Sequence, residues 1–313
     1  MKKNYLDIID PIHDFIRVYD YELPIIDNPL FQRLRRIKQL SGAHLTYPSA
    51  QHSRFEHSLG VMHIATEAGF ALNEKGFLNS DDVQILRLAG LLHDIGHGPF
   101  SHLFEEVIQD KKTSHEDYGK KIILNSEIGD VLSKTGFDKK IIAQIAFGES
   151  KFQYLNEIIS GSLSADMMDY LLRDGYFTGA EHAKVDHKRI TQSLNIHKKK
   201  IALERSALYS FESMMHSRYQ MFKAVYFHKT VRAAEVMLIQ ALRLSDDEFG
   251  FSSFNLNEYV KLTDEFVISS IIFSKSSKLK RARQLAENYQ NRKLLKCVFE
   301  RILTSQTNLK KTR

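Results

Sequence analysis

The chain has 313 residues, 43% hydrophobic and 26% charged, which excludes wholesale disorder and allows one large domain or two modest ones. Its net charge of +6 is lopsided, with twelve Lys/Arg against Glu287 and Glu300 in residues 275–313 and a net −4 before them. The longest near-apolar run, FVISSIIF at 266–273, is far short of the roughly 20 residues of a membrane span, the start carries no apolar signal segment, and Cys297 has no second cysteine to pair with, so a cytoplasmic location away from membranes is expected.

In chain order, DIID (7–10) and FIRVYD (15–20) alternate well enough to pair as short strands. Helices are expected over 29–40, over 56–75 on the spacing of Ile64, Ala68, Ala71 and Leu72, and over 80–94. A further helix begins near Ser101, followed by helices over 114–126, 138–147 and 164–177. All five prolines lie in the first hundred residues, and 180–313 hold one glycine, Gly250, which favours long helices over a turn-rich β fold. NIHKKKIALE (195–204) reads as a polar-tipped hairpin. Helices over 205–227, with Phe211, Met215, Phe222 and Val225 at helical spacing, and over 229–244 come next, then smaller ones beyond 250. The fold class is therefore all-α with minor short β-hairpins. A catalytic unit over 1–250 would carry a short basic helical extension over 251–313. That basic end suits phosphates, nucleic acid or an acidic partner, or is the solvated face of the last helices.

Eight of the fourteen histidines fall between His44 and His115. Histidine is the commonest metal ligand and the side chain best suited to proton transfer near neutrality. An adjacent His-Asp pair arises about once by chance in this composition, and two occur, His13-Asp14 and His93-Asp94. Context separates them. In LAGLLHDIGHGPFSHLFEE (88–106) an apolar helix runs into His93 and Asp94, then Gly96, Gly98 and Pro99 break it. Ligands at such a helix end sit on a rigid scaffold yet reach a cavity, and His93, Asp94, His97 and His102 are too dense for core packing. His13-Asp14 lacks that context and reads as structural.

QHSRFEHSLGVMHIA (51–65), LLHDIGHGPFSH (91–102) and SADMMDYLLRD (164–174) resemble the three metal-site blocks of HD-domain phosphohydrolases, most nearly the SAM-and-HD-domain deoxynucleotide triphosphohydrolases. DPIHDFI (10–16) and residues 25–60 extend the likeness, which covers roughly 5–230; no SAM domain is expected at either end. The resemblance implies a divalent transition metal on His57, His93, Asp94 and Asp166. Two imidazoles with two carboxylates suit iron, manganese, zinc or nickel alike, and magnesium would accompany the nucleotide.

The same resemblance implies that Gln39 and Leu40 line the sugar and base, and that Arg54 and Arg218 bind phosphate. Tyr170 would pack under the sugar where a 2′-hydroxyl would clash, and Asp174 would accept from the 3′-hydroxyl. His97, His102 and His115 would lie near the reacting phosphate, with His102 as acid for the leaving oxygen. Glu105 stands where relatives often carry Asp. Spacing adds a check: Asp166, Tyr170 and Asp174 form one stripe of a helix, about 6 Å of rise per step, and Arg218, Phe222 and Tyr226 form another. Two departures are Met167, a Lys in the human-type enzymes, and Phe227, in place of a polar residue.

The implied activity is hydrolysis of a dNTP to deoxynucleoside and triphosphate. Alternatives are an HD-type nuclease or phosphodiesterase and a non-catalytic nucleotide sensor. Asp27, Gln32 and Arg35 match a guanine-nucleotide activator site between subunits, and Arg189, His228 and Lys229 match positions around a second activating nucleotide. Against these, Leu6 and Ile9 replace activator-binding polar residues. Alternatively, Asp27 caps the helix starting near Pro29, with Gln32 and Arg35 on its exposed face. A symmetric homo-oligomer, dimer or tetramer, is expected either way.

Overall fold

Two short antiparallel ribbons punctuate an otherwise helical chain, in a computed structural model that describes residues 4–108 and 113–298. β1 (Tyr5–Asp10) pairs with β2 (Asp14–Tyr19) in the register Ile8↔Ile16 and Ile9↔Phe15, following the alternation in the sequence. Ile16 and Val18 enter the core, while Ile9 and Phe15 face outward. In the turn, the Asp10 carboxylate accepts from the N–H groups of Ile12 and His13, both at 3.0 Å.

The single helix expected over 29–40 is broken. After α1 (Leu23–Ile26), α2 (Pro29–Gln32) tightens into a 3-10 turn over Arg33–Arg36, and Ile37 is extended. The cause is tertiary. Arg33 is buried and donates to the Ile95 carbonyl at 3.0 Å, and Lys38 is drawn into a bridge with Ser53. Asn28, not Asp27, caps α2.

A Ser53–Glu56 capping box starts α3 (Arg54–Glu74), the central helix. Val61, Met62, Ile64 and Ala65 on it are fully buried, so its middle has no solvated face. α4 (Ser80–Leu92) packs beside it and stops at His93. Next come α5 (His102–Ile108), α6 (His115–Asn125), α7 (Glu127–Lys134), α8 (Lys139–Ala146) and α9 (Gln153–Ile159). α10 (Ala165–Thr178) starts at a Ser164 cap, ends at left-handed Gly179, and lies against α3, as does α11 (His187–Gln192). The second ribbon pairs β3 (Leu194–His197) with β4 (Lys200–Leu203).

The helix expected over 205–227 is α12 (Leu208–Met221) followed by a π-helical turn at Phe222–Tyr226, where the Tyr47 hydroxyl donates to the Ala224 carbonyl at 2.5 Å. α13 (Lys229–Phe249) ends at left-handed Gly250; α14 (Leu256–Tyr259), α15 (Asp264–Phe273) and α16 (Lys280–Gln290) follow. No described helix is long and apolar enough to cross a membrane. The basic residues from Arg301 onward lie outside the described residues.

The main core joins β2, α3, α4 and the helices from α6 to α10. A second core joins Phe104 of α5 and Tyr118 of α6 to α13–α16, with the Tyr118 and Tyr259 rings stacked at 3.6 Å. Three side chains tie this second core to the connecting segments. The Tyr259 hydroxyl donates to the Gly96 carbonyl at 2.8 Å, and the Tyr289 hydroxyl to that of Ser41 at 2.6 Å. Asp264 accepts from the N–H groups of Lys38 (3.0 Å) and Phe100 (2.7 Å).

Candidate metal centre and substrate cleft

Three helices converge on one point. His57 lies one turn into α3, His93 and Asp94 follow the end of α4, and Asp166 sits in the first turn of α10. His57 Nε2 is 3.1 Å from Asp166 Oδ1 and 3.7 Å from Asp94 Oδ2; His93 Nε2 is 3.3 Å from Asp94 Oδ1 and 3.9 Å from Asp166 Oδ1. Neighbouring ligands about 2.1 Å from one ion stand roughly 3.0–3.4 Å apart, so His57, His93 and Asp166, whose donor atoms lie together, need only a small contraction, while Asp94 faces His57 and His93 through different oxygens. The tautomers fit as well. His57 Nδ1 donates to Asp169 Oδ2 at 2.8 Å and His93 Nδ1 to the Gly90 carbonyl at 2.8 Å, which directs both Nε2 atoms inward. His93 Nε2 is buried and has no hydrogen-bond partner. Burial disfavours a charged His57, yet Asp166, Asp169 and Asp94 outweigh it and push the ring up to about 10. The pocket is thus built to hold positive charge, and the donor set fits a divalent ion.

Asp169 organises the layer behind His57. Its Oδ1 accepts from His13 Nε2 at 2.6 Å, and Arg173 donates to both its oxygens at 2.9 and 3.0 Å. Arg173 in turn is held by Asp10 at 2.9 Å, so the turn of the first ribbon reaches the metal centre through two buried residues. Gly60 permits this approach, because a Cβ there would lie 1.9 Å from Asp169 Oδ1. The structural reading of His13 holds: it is a buried partner of Asp169. Sequence reasoning missed Asp169 itself, although Asp169 and Arg173 repeat the four-residue period one position before Tyr170 and Asp174.

On the other side of Asp94 lies a group of three imidazoles and one carboxylate. His97 Nε2 is 3.2 Å from Asp94 Oδ1, the His97 and His115 rings stack at 4.0 Å, and His102 stands edge-on to both. Glu105 accepts from His115 Nδ1 and lies 3.6 Å from His102 Nδ1, so the longer Glu does reach both imidazoles. Burial and the nearby Arg54 hold His97 well below the usual histidine range. Burial also opposes charge on His115, but Glu105 outweighs it and raises His115. The turn carrying these groups is strained: Phe100 and Ser101 both have left-handed φ, 55° and 54°. Ser101 Oγ accepts from Arg54 Nε at 2.9 Å, and Arg54 Nη1 pairs with Asp94.

A cavity of about 440 Å³ opens beside these groups, lined in part by Gln39, Leu40, Arg54, Asp166, Tyr170, Asp174 and Tyr226. Asp174 is buried; it accepts from the Tyr226 hydroxyl at 2.7 Å and from His52 Nε2 at 2.8 Å, the second contact one that spacing did not reveal. Burial, with Asp166, pushes Tyr170 up to about 12, so its hydroxyl stays protonated. Gln39 Oε1 is buried without a partner, a spare acceptor within the cavity lining. Arg218 does not line this cavity. It faces an adjoining opening that shares Ser160, Asp166 and Tyr170 with it. Met167 is buried and Phe227 exposed.

The candidate regulatory residues lie elsewhere. Asp27 and Arg35 are exposed, and Arg35 Nε donates to Gln32 Oε1 at 2.8 Å. Arg189 and Lys229 are exposed on α11 and α13, and His228 caps α13.

Comparison with known proteins identifies the family. The HD domain family matches residues 54–174, and the HD-associated region matches 185–310. The uncharacterized protein YwfO of Bacillus subtilis is 36% identical over 280 residues, 83% of this chain and 64% of that protein. Human deoxynucleoside triphosphate triphosphohydrolase SAMHD1 is 30% identical over 355 residues, 97% of this chain and 56% of that protein. The chain thus spans about half to two-thirds of the length of these curated relatives. A crystal structure of a phosphohydrolase from Bacteroides thetaiotaomicron superposes with a TM-score of 0.82 at 30% identity, covering 93% of this chain and 78% of that one. A hypothetical protein from Aquifex aeolicus gives 0.82 at 36% identity, covering 92% and 76%.

Proposed function

The chain belongs to the HD-domain phosphohydrolases, and from that premise we propose that it hydrolyses deoxynucleoside triphosphates to deoxynucleoside and inorganic triphosphate. The observation that carries this reading is the stripe Asp166–Tyr170–Asp174, which joins the metal centre to the Tyr226 and His52 end of one cavity. Its length suits a nucleotide lying with its α-phosphate at Asp166 and its sugar beyond Tyr170. The similarity to the human triphosphohydrolase over nearly the whole chain supports the same substrate class.

His57, His93, Asp94 and Asp166 would hold a divalent ion, which would supply a Lewis acid and make a water beside it more acidic. The protein's own groups do the rest. Arg54 and Arg218 hold the phosphates from the two openings. As a water oxygen joins the α-phosphorus and the bond from phosphorus to the 5′ oxygen breaks, His102 passes a proton to that departing oxygen, and the proton the water gives up restores the imidazolium. Glu105 and His115 hold the imidazole group in place. Asp174 accepts from the 3′-hydroxyl, and the Tyr170 ring fills the space beneath the sugar.

Incubating metal-loaded protein with each dNTP and with single-stranded DNA, then identifying products, tests this. Triphosphate with deoxynucleoside is expected. A dNMP as the main product, or cleavage of DNA alone, would overturn it in favour of a pyrophosphatase or a nuclease.

A further inference from the structure

The far end of the substrate cavity is closed by a buried carboxylate. Asp174 is 2% exposed, and among the described residues no Lys or Arg pairs with it. Its Oδ1 accepts from His52 Nε2 at 2.8 Å and its Oδ2 from the Tyr226 hydroxyl at 2.7 Å. Tyr226 lines the cavity, whereas His52 stands outside that lining, buried, with its ring stacked on Phe177 at 4.7 Å. His52 Nδ1 is buried without a partner, so the ring carries its proton on Nε2, where the carboxylate accepts it.

We infer that His52 is a positioning residue for the sugar: together with Tyr226 it fixes the Asp174 carboxylate as an acceptor facing the cavity, and so makes a 3′-hydroxyl on the substrate a requirement for tight binding. This deepens the nucleotide reading of the cavity and rests on it. An ionised carboxylate offers about four acceptor positions. His52 and Tyr226 take one on each oxygen, which pins the group and leaves the other positions to a ligand donor. Without His52, Oδ1 is a buried oxygen with no donor, a state relieved by taking up a proton or by turning away from the cavity. After either change the carboxyl group no longer selects a hydroxyl.

The backbone of His52 serves another wall of the same cavity. Its carbonyl accepts from the Gln39 N–H at 3.0 Å, and Gln39 lines the cavity. Substituting the side chain leaves that contact in place and confines the effect to Asp174.

Calorimetric binding of two uncleavable nucleotides to the metal-loaded full chain tests this. The probes are the analogues of dATP and of 2′,3′-dideoxy-ATP in which a methylene group replaces the 5′ oxygen. Wild type should prefer the 3′-hydroxyl form by about 10–100-fold, the worth of one hydrogen bond to a charged group. His52→Ala should bring the ratio close to one by weakening the hydroxyl form alone. His52→Gln should keep the preference, because its amide nitrogen can stand where the imidazole Nε2 stands. His52→Asn, polar but too short to reach Asp174, carries the alanine expectation if His52→Ala misfolds. An unchanged ratio in folded His52→Ala or His52→Asn, or an equal weakening of both nucleotides, overturns the inference. So does a wild-type protein that binds the two alike. A preference that vanishes with His52, in a protein that releases no triphosphate from dATP, leaves His52 in its role and removes the proposed reaction instead.

Discussion

His57 Nδ1 lies 2.8 Å from Asp169 Oδ2, and the second oxygen of the same carboxylate accepts from His13 at 2.6 Å. Each metal-directed nitrogen is therefore aimed by a buried partner behind it. Partners of this kind tune metal affinity by about 10–100-fold. Asp169→Asn should weaken metal binding by about that factor in a chelator competition, with the fold checked by circular dichroism. Unchanged affinity would mean that α3 and α4 alone orient the ligands.

Asp166 is a first-turn residue with its side chain about one-third exposed, so Asp166→Ala should stay folded. Elemental analysis of the purified variant should show the catalytic ion gone and turnover abolished. Full metal content in a folded Asp166→Ala protein would remove Asp166 from the ligand set.

Glu105 and His115 set a pH window. Burial opposes both charges, yet His102 and His115 together hold Glu105 below 4.5, and Glu105 raises His115 above 6.5. The lowered Glu105 contributes stability above its unfolded value near 4.5, lost as pH falls through its folded value. The raised His115 contributes fully below 6.5, and that share fades as pH rises through its folded value. Glu105→Gln should therefore cost most between about pH 4.5 and 6.5, roughly 1.5–3 kcal/mol for a charged hydrogen bond of this burial. Denaturant melts from pH 4 to 9 give the profile; a pH-independent difference would contradict the pairing.

Tyr170 should set sugar discrimination. A packed ring resists an added hydroxyl by about 1–3 kcal/mol, so dATP should exceed ATP in kcat/KM by roughly 10–100-fold. Tyr170→Ala should narrow the ratio. Equal turnover of the two nucleotides by the unmodified protein would remove Tyr170 from that role.

Asp27, Gln32 and Arg35 carry an activation test. If they hold a guanine nucleotide between subunits, GTP should raise both the mass seen by light scattering and the dNTPase rate, and Arg35→Ala should abolish both effects. A monomer whose rate ignores GTP leaves them as helix-surface chemistry.

The parts of the site that are local in sequence were legible: His93, Asp94, His97 and His102 crowd ten residues, and the 166–170–174 stripe follows from helical period. Asp169 was not, because its partner His57 lies 112 residues away and the four-residue count from Asp166 steps over it. His52 escaped for the same reason, its partner Asp174 being 122 residues distant. Both ribbons and the longer helices were visible from apolar spacing. α7, α9 and α11 are only six to eight residues long, too short for a clear period. The break after Gln32 depends on the Lys38–Ser53 bridge and buried Arg33, contacts no local propensity encodes.

Tyr259, Asp264 and Tyr289 fasten the last helices to the two connections that shape the catalytic cavity, at Gly96, Phe100, Lys38 and Ser41. Undocking α14–α16 would free the strained Phe100–Ser101 turn to relax and would leave buried carbonyls and N–H groups unpaired. Partial melting at that end thus has no working intermediate. Thermal inactivation should superimpose on the loss of the Tyr259 and Tyr289 environment in near-ultraviolet spectra, so that the temperature at which half the activity survives reports the docking equilibrium of helices that touch no substrate.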